Sequence, residues 1–398
     1  MDITNHPIWT QITTSKTLVS GYKKPLHLFK IYAARQFAKL FPGEMFIGIT
    51  GSVGKTTCME ASVAVLSQKY KTISTKRNSN PILNIPETIL KLNPSYNKVV
   101  LEMGIEYKGE MDFYLSLVRP RIAIITRIAY ANNQYLGDLN EVAGEKGKLI
   151  ESLDKEGIAI LNWDDLYCRK LAEKCKGTIV YFGTDSKNCT VWAGNIKIEN
   201  FKTNFELNLG VERVKINLQL LGYHQIYPTM AAATLGIVSG ISLTKIKSAL
   251  ESIEVLDHCM QVLEGPNNSV IIDDTYNSSP ATLEHAIDTL LELPARRRIV
   301  VLGEMKDLGD FSEGLHRKVA QRIYKEKMDL VLLGQGETRF IEAELKDLGF
   351  LEERIESNLQ NSQIVNKLLR TLGKGDVCLI KGSRAVRLDE VVKRIVKK

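Results

Sequence analysis

The stretch GITGSVGKTT, Gly48 to Thr57, decides the fold of this chain. It follows the apolar run Met45-Phe46-Ile47 and precedes the helical pattern CMEASVAVLSQKY, so the sequence predicts a strand, a glycine loop and a helix in that order. Such a turn presents backbone N–H groups and a helix N-terminus to an anion, as in proteins that bind nucleotide phosphates. The spacing differs from the common GxxxxGK[ST] pattern because Ile49 stands where the first glycine is expected.

The residues of this turn have distinct expected roles in binding a nucleotide. Lys55 is expected to neutralise the β- and γ-phosphates, and the Thr56 hydroxyl is expected to hold Mg²⁺. The alternative is an ordinary loop with a chance Gly-Lys-Thr, and the flanking strand and helix favour nucleotide binding over it. The other predicted binding residues of the turn are Gly51, Ser52, Val53, Gly54 and Thr57.

The composition is that of an ordinary globular protein, with 398 residues of which 44% are hydrophobic and 25% are charged. The net charge of +7 suits anionic, phosphorylated substrates, but no compact basic stripe predicts a nucleic-acid partner. No apolar run reaches the length of about 18 residues that predicts a transmembrane helix. The start, MDITNHPIWTQITTSK, lacks the layout of a signal peptide, and the scattered cysteines form no CxxC pair. These features indicate reduced thiols and a cytoplasmic protein.

The length predicts about two or three domains. We expect a short helical N-terminal region over 1–43, a central nucleotide-binding domain over 44–255 and a C-terminal domain over 256–398. Residues 16–41 have the pattern of a basic amphipathic helix that is interrupted near Pro25. Packing of this helix against the next domain is favoured over contact with a membrane surface.

Short β-rich runs alternate with helical patterns along most of the chain, which predicts an α/β fold. The runs of the first half are KVVLEMG (98–104), RIAIITRI (121–128), GIAILNWDD (157–165) and GTIVYFG (177–183). They predict a central domain with a P-loop and a mostly parallel sheet. Residues 189–221 alternate apolar and polar side chains, which predicts added antiparallel strands.

A second α/β unit is predicted after a linker around 252–268, where GPNNS is a turn signal. Its strands are SVIIDD (269–274), RRIVVLG (297–303), MDLVLLG (328–334) and DVCLIKG (376–382). Four strands with intervening helices predict a doubly wound, Rossmann-like C-terminal domain.

Further segments carry a resemblance to a known family. After GITGSVGKTT come, in order, TKRNSNPILNIPETIL, LEMGIEYKGEM, VAGEKGKLIE, GYHQIYPTMAAA, DDTYNSSPATLEHAIDTL, VLGEMKDLGDFSEGLH and LIKGSR. In this set and order the chain resembles the Mur ligases from Phe46 to Val392. Within that family it is most similar to the branch that adds D-alanyl-D-alanine to a nucleotide-linked tripeptide.

The resemblance implies an ATP-dependent amide ligase of cell-wall precursor synthesis that uses ATP and Mg²⁺. An acceptor carboxylate would attack the γ-phosphate to give an acyl phosphate and ADP, and the amine of an amino acid or dipeptide would then displace phosphate. The partners implied are a nucleotide-linked peptide acceptor and that amine, with no nucleic acid and no transmembrane segment, and a monomer is expected. Domain closure would require a hinge near 252–268.

By the same resemblance the catalytic residues are Lys55, Glu102, Lys146 and His224. Glu102 ends a predicted strand and would be a Mg²⁺ ligand with Thr56, whereas a solvated strand-end glutamate is the alternative. Lys146 aligns with a lysine that the family carries as a carbamate. The alternative interpretation is an ordinary surface lysine on a charged helix. Asn132 stands where the family usually has a histidine metal ligand, and its carbonyl oxygen would serve Mg²⁺.

The loop with Asn78 and Asn80 resembles the one that faces the nucleotide-linked substrate, although turn chemistry alone would explain an Asn-rich loop. The family's two asparagines after His224 are replaced by Gln225 and Pro228, and Lys148 replaces a usual glutamate.

In the C-terminal half, Asp274, Tyr276 and Asn277 resemble the segment that closes over ATP, although helix capping explains them equally well. Lys381, Ser383 and Arg384 form a strand–helix turn suited to a carboxylate or phosphate. The family's Gly-Arg pair at the linker is replaced by His258 and Cys259. His316 is expected to be a plain helix residue.

Other interpretations stay open at this point. About 44 residues precede the P-loop strand, whereas the resemblance implies a larger N-terminal domain that grips UDP. A reduced domain, a separate partner or a different acceptor, as in a pseudomurein-type or other divergent ligase, would each explain this. A scaffold that binds ATP and joins nothing, or a folate- or cyanophycin-type ligase, are further alternatives.

Overall fold

The computed structural model describes residues 3–9, 23–77 and 79–396 and contains two sheets. Two 3₁₀ turns, Ile3–Asn5 and Pro7–Trp9, precede the first helix. In the part of the chain that is described, no helix is both long and apolar enough to cross a membrane.

The larger sheet has nine strands in the order β2-β3-β1-β4-β5-β6-β7-β8-β9. The strands are β1 (Phe46–Thr50), β2 (Thr72–Ser74), β3 (Lys98–Glu102), β4 (Ile122–Ile125), β5 (Ile158–Asn162), β6 (Thr178–Gly183), β7 (Val191–Glu199), β8 (Lys202–Leu209) and β9 (Glu212–Leu218). Pairing is parallel from β2 to β7 and antiparallel from β7 to β9. The predicted parallel sheet with added antiparallel strands is confirmed.

The smaller sheet has six strands in the order β10-β11-β15-β12-β13-β14. They are β10 (Gln261–Glu264), β11 (Val270–Asp274), β12 (Arg297–Leu302), β13 (Leu330–Gly334), β14 (Ile355–Leu359) and β15 (Asp376–Lys381). Only β10 runs antiparallel to its neighbour. The predicted doubly wound α/β arrangement is therefore present in the C-terminal half.

Helices cover both faces of each sheet, as the alternating sequence pattern requires. The helices are α1 (Lys24–Ala38), α2 (Lys55–Leu66), α3 (Pro81–Ile89), α4 (Glu110–Leu117), α5 (Asn133–Leu136), α6 (Leu139–Glu151), α7 (Leu166–Ala172), α8 (Ile226–Val238), α9 (Leu243–Glu251), α10 (Pro280–Glu292), α11 (Ser312–Lys325), α12 (Arg339–Asp347), α13 (Asn361–Thr371) and α14 (Asp389–Ile395). Helices α2, α8 and α9 share one apolar core, and α1, α3, α4, α6 and α7 share the core on the opposite face. On the smaller sheet, helices α10, α11 and α12 share the core on one face, and helices α13 and α14 share the core on the other.

Strand β1 is the central element that positions the glycine loop. All five of its residues are buried, and it pairs in parallel with β3 on one side and β4 on the other. Because parallel strands end at the same edge of the sheet, the loops after β1, β3 and β4 come together there. The register opposes Ile49 to Glu102, so the carboxylate at the end of β3 emerges beside the start of the glycine loop.

Pro25 lies in the first turn of α1, where a proline sacrifices no intrahelical hydrogen bond. Residues 16–22 of the expected helical pattern lie outside the described residues. Two details differ from the sequence-based expectation. The expected linker around 252–268 contains β10, which pairs along the edge of the smaller sheet. Strand β14 was not predicted because its sequence, IESNL, is mostly polar and only partly buried at a sheet edge.

Candidate active site

The glycine loop is held in place by the segment that follows β4. The Ser52 N–H donates to the Arg127 carbonyl at 2.7 Å, and the Thr126 hydroxyl donates to the Val53 carbonyl at 2.6 Å. Gly54 has a φ of 78° at the N-cap of α2, a left-handed conformation that favours glycine. The loop therefore directs its remaining backbone N–H groups and the N-terminus of α2 toward one point in front of the sheet.

Lys55, Thr56 and Glu102 meet at this point. The Lys55 ammonium donates to the Ser52 carbonyl at 3.2 Å, and the Thr56 hydroxyl lies 3.0 and 3.2 Å from the two Glu102 carboxylate oxygens. Burial lowers the pKa of Lys55 and raises the pKa of Glu102, while the charge of each opposes the shift of the other. The site thus brings a cation, a hydroxyl and a carboxylate together.

A first cavity of about 330 Å³ lies between the two halves of the molecule. It is lined from the central half by the glycine loop, Arg127 and Tyr227, and from the C-terminal half by Asp274 and Lys381. Two buried polar atoms at its wall have no hydrogen-bond partner, the His224 Nδ1 and the Ser278 hydroxyl oxygen. Unpartnered buried polar atoms are costly, so their presence in a cavity wall indicates that a polar ligand belongs there.

A second cavity, of about 390 Å³, lies on the other side of Lys55 and Thr56. Its wall contains Glu102, Asn132 and Asn80 from the central half, with Ser383 and Arg384 from the C-terminal half. Four residues belong to the walls of both cavities: Lys55, Thr56, Tyr276 and Asn277. The site is therefore two adjacent compartments that meet at the N-terminus of α2.

The C-terminal half contributes a buried lysine to the first cavity. The Lys381 ammonium donates to an Asp274 oxygen at 2.6 Å and to the Asn277 carbonyl at 2.9 Å. Strands β11 and β15 are adjacent and their register opposes these two charged residues, so the sheet itself fixes the pair. The Arg384 guanidinium lies over the Tyr276 ring at 5.6 Å, and the Ser383 hydroxyl accepts from the Lys306 N–H at 2.9 Å.

Lys146 is buried on α6, near carboxylates of α4 and α6 that already have partners. Glu110 accepts from His6 at 2.8 Å and from the Glu106 N–H at 2.6 Å, and Glu145 accepts from the Gly109 N–H at 2.7 Å. Burial and then the nearby charge of Lys55 lower the pKa of Lys146 well below its ordinary value, against the pull of those carboxylates. At a given pH, more of the Lys146 amine is therefore neutral than for an ordinary lysine.

His224 lies in the wall of the first cavity and does not line the junction of the two cavities. Its ring stacks on His285 at 5.6 Å, and its Nε2 is 3.1 Å from the Gln225 side-chain nitrogen. Because that amide donates to Nε2, the proton of the neutral ring is on Nδ1. Burial, Lys381 and Arg127 lower the pKa of His224 to about 3, so the ring offers an N–H group and no charge.

The other predicted residues are distributed as follows. Asn132 lines the second cavity, and its amide donates to the Ile105 carbonyl at 3.2 Å. Asn80 caps α3 by accepting from the Ile82 N–H at 2.9 Å, while Asn78 lies outside the described residues. His316 is buried away from both cavities, where it accepts from the Met305 N–H at 3.1 Å as an ordinary structural residue.

Among the residues of the first cavity that sequence reasoning missed, three carry basic side chains: Arg77, Arg127 and His285. Arg127 hydrogen bonds to His285 of α10 and so joins the two halves of the molecule. Its position just beyond the end of β4 was the available signal, because charged residues after parallel strands collect at the ligand edge. His285 gave no comparable signal, since it lies inside an otherwise regular helix pattern.

The oxygen donors in the wall of the second cavity fit a magnesium ion that is bound mainly through phosphate oxygens. Among the described residues no cluster of three or more His, Cys, Asp or Glu side chains can hold a metal. Thr56, Glu102 and Asn132 nevertheless line one cavity with three oxygen donors. Mg²⁺ keeps few protein ligands and prefers a carboxylate with substrate phosphates, so this donor set is suitable.

Comparison with known proteins agrees with this architecture. Residues 49–236 match the model of the Mur ligase middle domain, and residues 258–384 match that of the Mur ligase glutamate ligase domain. The UDP-N-acetylmuramoyl-tripeptide–D-alanyl-D-alanine ligase of Buchnera aphidicola (subsp. Baizongia pistaciae) is 31% identical over 88% of this chain and 75% of its own length. The enzyme of that name from Escherichia coli K12 is 30% identical over 88% of this chain and 76% of its own length.

Solved structures share the fold. MurF from Acinetobacter baumannii aligns with a TM-score of 0.82 and 23% identity, covering 92% of this chain and 80% of that protein. MurF ligase from Thermotoga maritima, solved with ADP, aligns with a TM-score of 0.81 and 24% identity over 92% and 82%. From the two matched domain models and the curated relatives at 30% identity or more, it follows that the chain belongs to the Mur ligase family.

Proposed function

We propose that this chain is an ATP-dependent peptide ligase that joins a D-alanyl-D-alanine-like dipeptide to a nucleotide-linked peptide. The proposal rests on one observation, the meeting of two cavities at Lys55 and Thr56. A triphosphate in the first cavity would bring its terminal phosphoryl group to the junction. An acceptor carboxylate in the second cavity would then face that group from the opposite side.

In the first step an acceptor carboxylate oxygen attacks the γ-phosphorus, and the bond to the β–γ bridging oxygen breaks with release of ADP. Lys55 offsets the negative charge that spreads over the transferred group, as does the N-terminus of α2. A Mg²⁺ ion held by Thr56 and Glu102 would neutralise further phosphate charge. Arg127 and Lys381 lie in the wall of the first cavity and supply cationic groups there.

In the second step the amine nitrogen attacks the acyl carbon, the carbon–oxygen bond to phosphate breaks, and the ammonium proton is lost to solvent or a base. The acyl phosphate must be kept from water during this step. Tyr276 and Asn277 come from the C-terminal half and line both cavities, so closure of the two halves would shield the junction. Ser383 and Arg384 are placed to hold a carboxylate in the second cavity.

The linker substitution noted in the sequence changes the first cavity. Cys259 lines that cavity, and burial raises the pKa of its thiol to about 12, so it carries no charge. The cationic groups in the wall of this cavity are instead Lys55, Lys381, Arg77 and Arg127. Since ATP and nucleotide-linked precursors are cytoplasmic compounds, the proposal places the reaction in the cytoplasm.

The reaction is tested by measuring phosphate release from Mg·ATP with a UDP-linked muramoyl tripeptide and D-alanyl-D-alanine, together with the product mass. Phosphate release is expected only when both acceptor and amine are present, with a product heavier by one dipeptide less water. Turnover with another carboxylate acceptor would instead indicate a divergent ligase. Nucleotide binding without turnover for any acceptor would favour a scaffold.

Replacing Gly51 by Ala tests the loop geometry. The φ of Gly51 is 147°, and an added Cβ would lie 2.1 Å from the Thr126 hydroxyl oxygen. We expect ATP affinity to fall by about tenfold or more, in line with backbone strain of about 1–3 kcal/mol, as measured by titration calorimetry. Gly144→Ala is the matched control, because no atom lies within 4 Å of its added Cβ. Equal affinities for the two variants would contradict the role assigned to the loop.

A further inference from the structure

Helix α1 has one face that the fold uses and another that it leaves exposed. Ile31, Ala34 and Ala38 are buried on the side that packs against α3 and α4. This packing accounts for only part of the helix surface, because the helix carries large apolar side chains in other directions as well.

The opposite side of α1 and the turn after it carry an apolar ridge. Its members are Leu26, Phe29, Tyr32 and Leu40, which are 55%, 67%, 64% and 74% exposed. At 100° per residue the three members within α1 (Leu26, Phe29 and Tyr32) lie within one third of the helix circumference, centred opposite Ala38. The ridge contains four of the eleven large apolar side chains that the described residues leave exposed, so the concentration in one short segment is not a random scatter.

Basic side chains flank this ridge. Arg35 and Lys39 lie along one border and Lys30 along the other, where it pairs with Glu87 at 3.3 Å. Lys24 lies over the Trp9 ring at 5.9 Å near the start of the helix. The sequence contains no Asp or Glu from residue 3 to residue 43, so the charged side chains of α1 itself are all basic.

We propose that α1 docks on an anionic lipid surface, with its apolar ridge in the interface and its basic side chains at the headgroups. A helix with aromatic and leucine side chains on one side and Lys or Arg at its flanks is the pattern of an interfacial helix. The long basic side chains can reach the phosphates while their stems stay apolar.

The docking helix lies behind the second cavity. Helix α1 packs on α3 and α4, and the first residues of those two helices, Pro81 and Glu110, line that cavity. A bilayer under α1 would therefore lie on the acceptor side of the central half. The inference depends only on the surface of α1 and is independent of the proposed reaction.

Vesicle co-sedimentation of the full chain tests the inference, with neutral phosphatidylcholine vesicles and vesicles that contain phosphatidylglycerol. We expect binding to the anionic vesicles that weakens as salt is added. Phe29→Ser combined with Tyr32→Ser should weaken binding by at least about tenfold. Arg35→Gln combined with Lys39→Gln should weaken it by about fivefold for each charge, and Phe29→Trp should preserve or increase it.

The control is Val211→Ser, which removes a fully exposed apolar side chain at the β8–β9 turn and should leave binding unchanged. All variants should keep the melting temperature of the parent chain, because the altered side chains are exposed. No binding to anionic vesicles at low salt, or equal binding by the Phe29/Tyr32 double variant, would overturn the proposal. So would a dimer in lipid-free solution that this double variant dissociates, since the ridge would then join two copies of the chain.

Discussion

Replacing Lys55 by Ala is expected to reduce phosphate release by about a thousandfold in the presence of both substrates. The Lys55 ammonium stands at the junction of the two cavities and lies 3.2 Å from the Ser52 carbonyl in the glycine loop. With ATP bound, this ammonium would donate to the γ-phosphate instead of the Ser52 carbonyl. The attraction between the ammonium and the phosphate oxygens would strengthen as the phosphoryl group is transferred. ATP affinity should also fall, but by less than the rate. Steady-state phosphate release and titration calorimetry measure the two effects separately.

Lys69→Ala is the matched control for this prediction. Lys69 follows α2 on the molecular surface, where its ammonium contacts the Ser239 and Gly240 carbonyls at 3.3 and 3.1 Å. The Lys69→Ala substitution removes one positive charge just beyond the other end of α2, so the two variants have the same net charge. The control should keep nearly full activity. Acceptor-independent ATPase activity that survives Lys55→Ala would argue against the whole mechanism.

The architecture could be predicted because its determinants are local. The order of strand, glycine loop and helix around Gly51 depends on side chains that are close in sequence, and the alternating pattern implies parallel strands. The edge strands β10 and β14 could not be predicted as easily. One lies in an expected linker and the other is mostly polar, because each needs burial on fewer sides than a central strand.

The composition of the site was less predictable than the fold, because it joins residues that are far apart in sequence. The contact of Arg127 with His285 spans 158 positions, and the Lys381–Asp274 pair spans 107. The resemblance to a family suggested Lys381 and Asp274 but not their pairing. Nothing in the pattern around His224 indicated a stacked partner or a neutral ring, since both depend on how the two halves meet.

The exposed ridge of α1 was also only partly predictable from the sequence. The sequence of residues 16–41 indicated a basic amphipathic helix, and packing against the central domain was the favoured interpretation. That interpretation agrees with one face of the helix, through Ile31 and Ala34. The pattern could not show that the apolar surface is wider than the packed face, because width depends on where α3 and α4 lie.

The chemistry of Lys146 gives the second large expected effect, since this residue is buried beside another lysine. Burial and the charge of Lys55 lower its pKa, so at a given pH more of the amine is neutral than for an ordinary lysine. A neutral amine can attack CO₂, forming a C–N bond and releasing a proton to give a carbamate. The new negative charge would relieve the repulsion with Lys55 and offer oxygen atoms to Mg²⁺.

We therefore expect Lys146→Ala to lower ligase activity by about a hundredfold or more, and activity of the parent chain to depend on dissolved bicarbonate. As pH falls the amine is protonated and the carbamate is lost, so activity should decline on the acid side, and added bicarbonate should restore part of it. Labelling with ¹³C-bicarbonate should give a carbamate NMR signal in the parent chain and none in the variant.

Lys148, two residues along the same helix, is the control. It forms ion pairs of 2.6 Å with both Asp112 and Glu145, and although its partial burial opposes this, these bonds raise its pKa. Its amine stays protonated and cannot take up CO₂, so Lys148→Ala should keep the bicarbonate dependence and the labelled signal. If the parent chain works equally well without bicarbonate and gives no labelled signal, Lys146 acts only as a buried amine. The difference between two lysines on one helix then tests how burial, and not residue type, decides this chemistry.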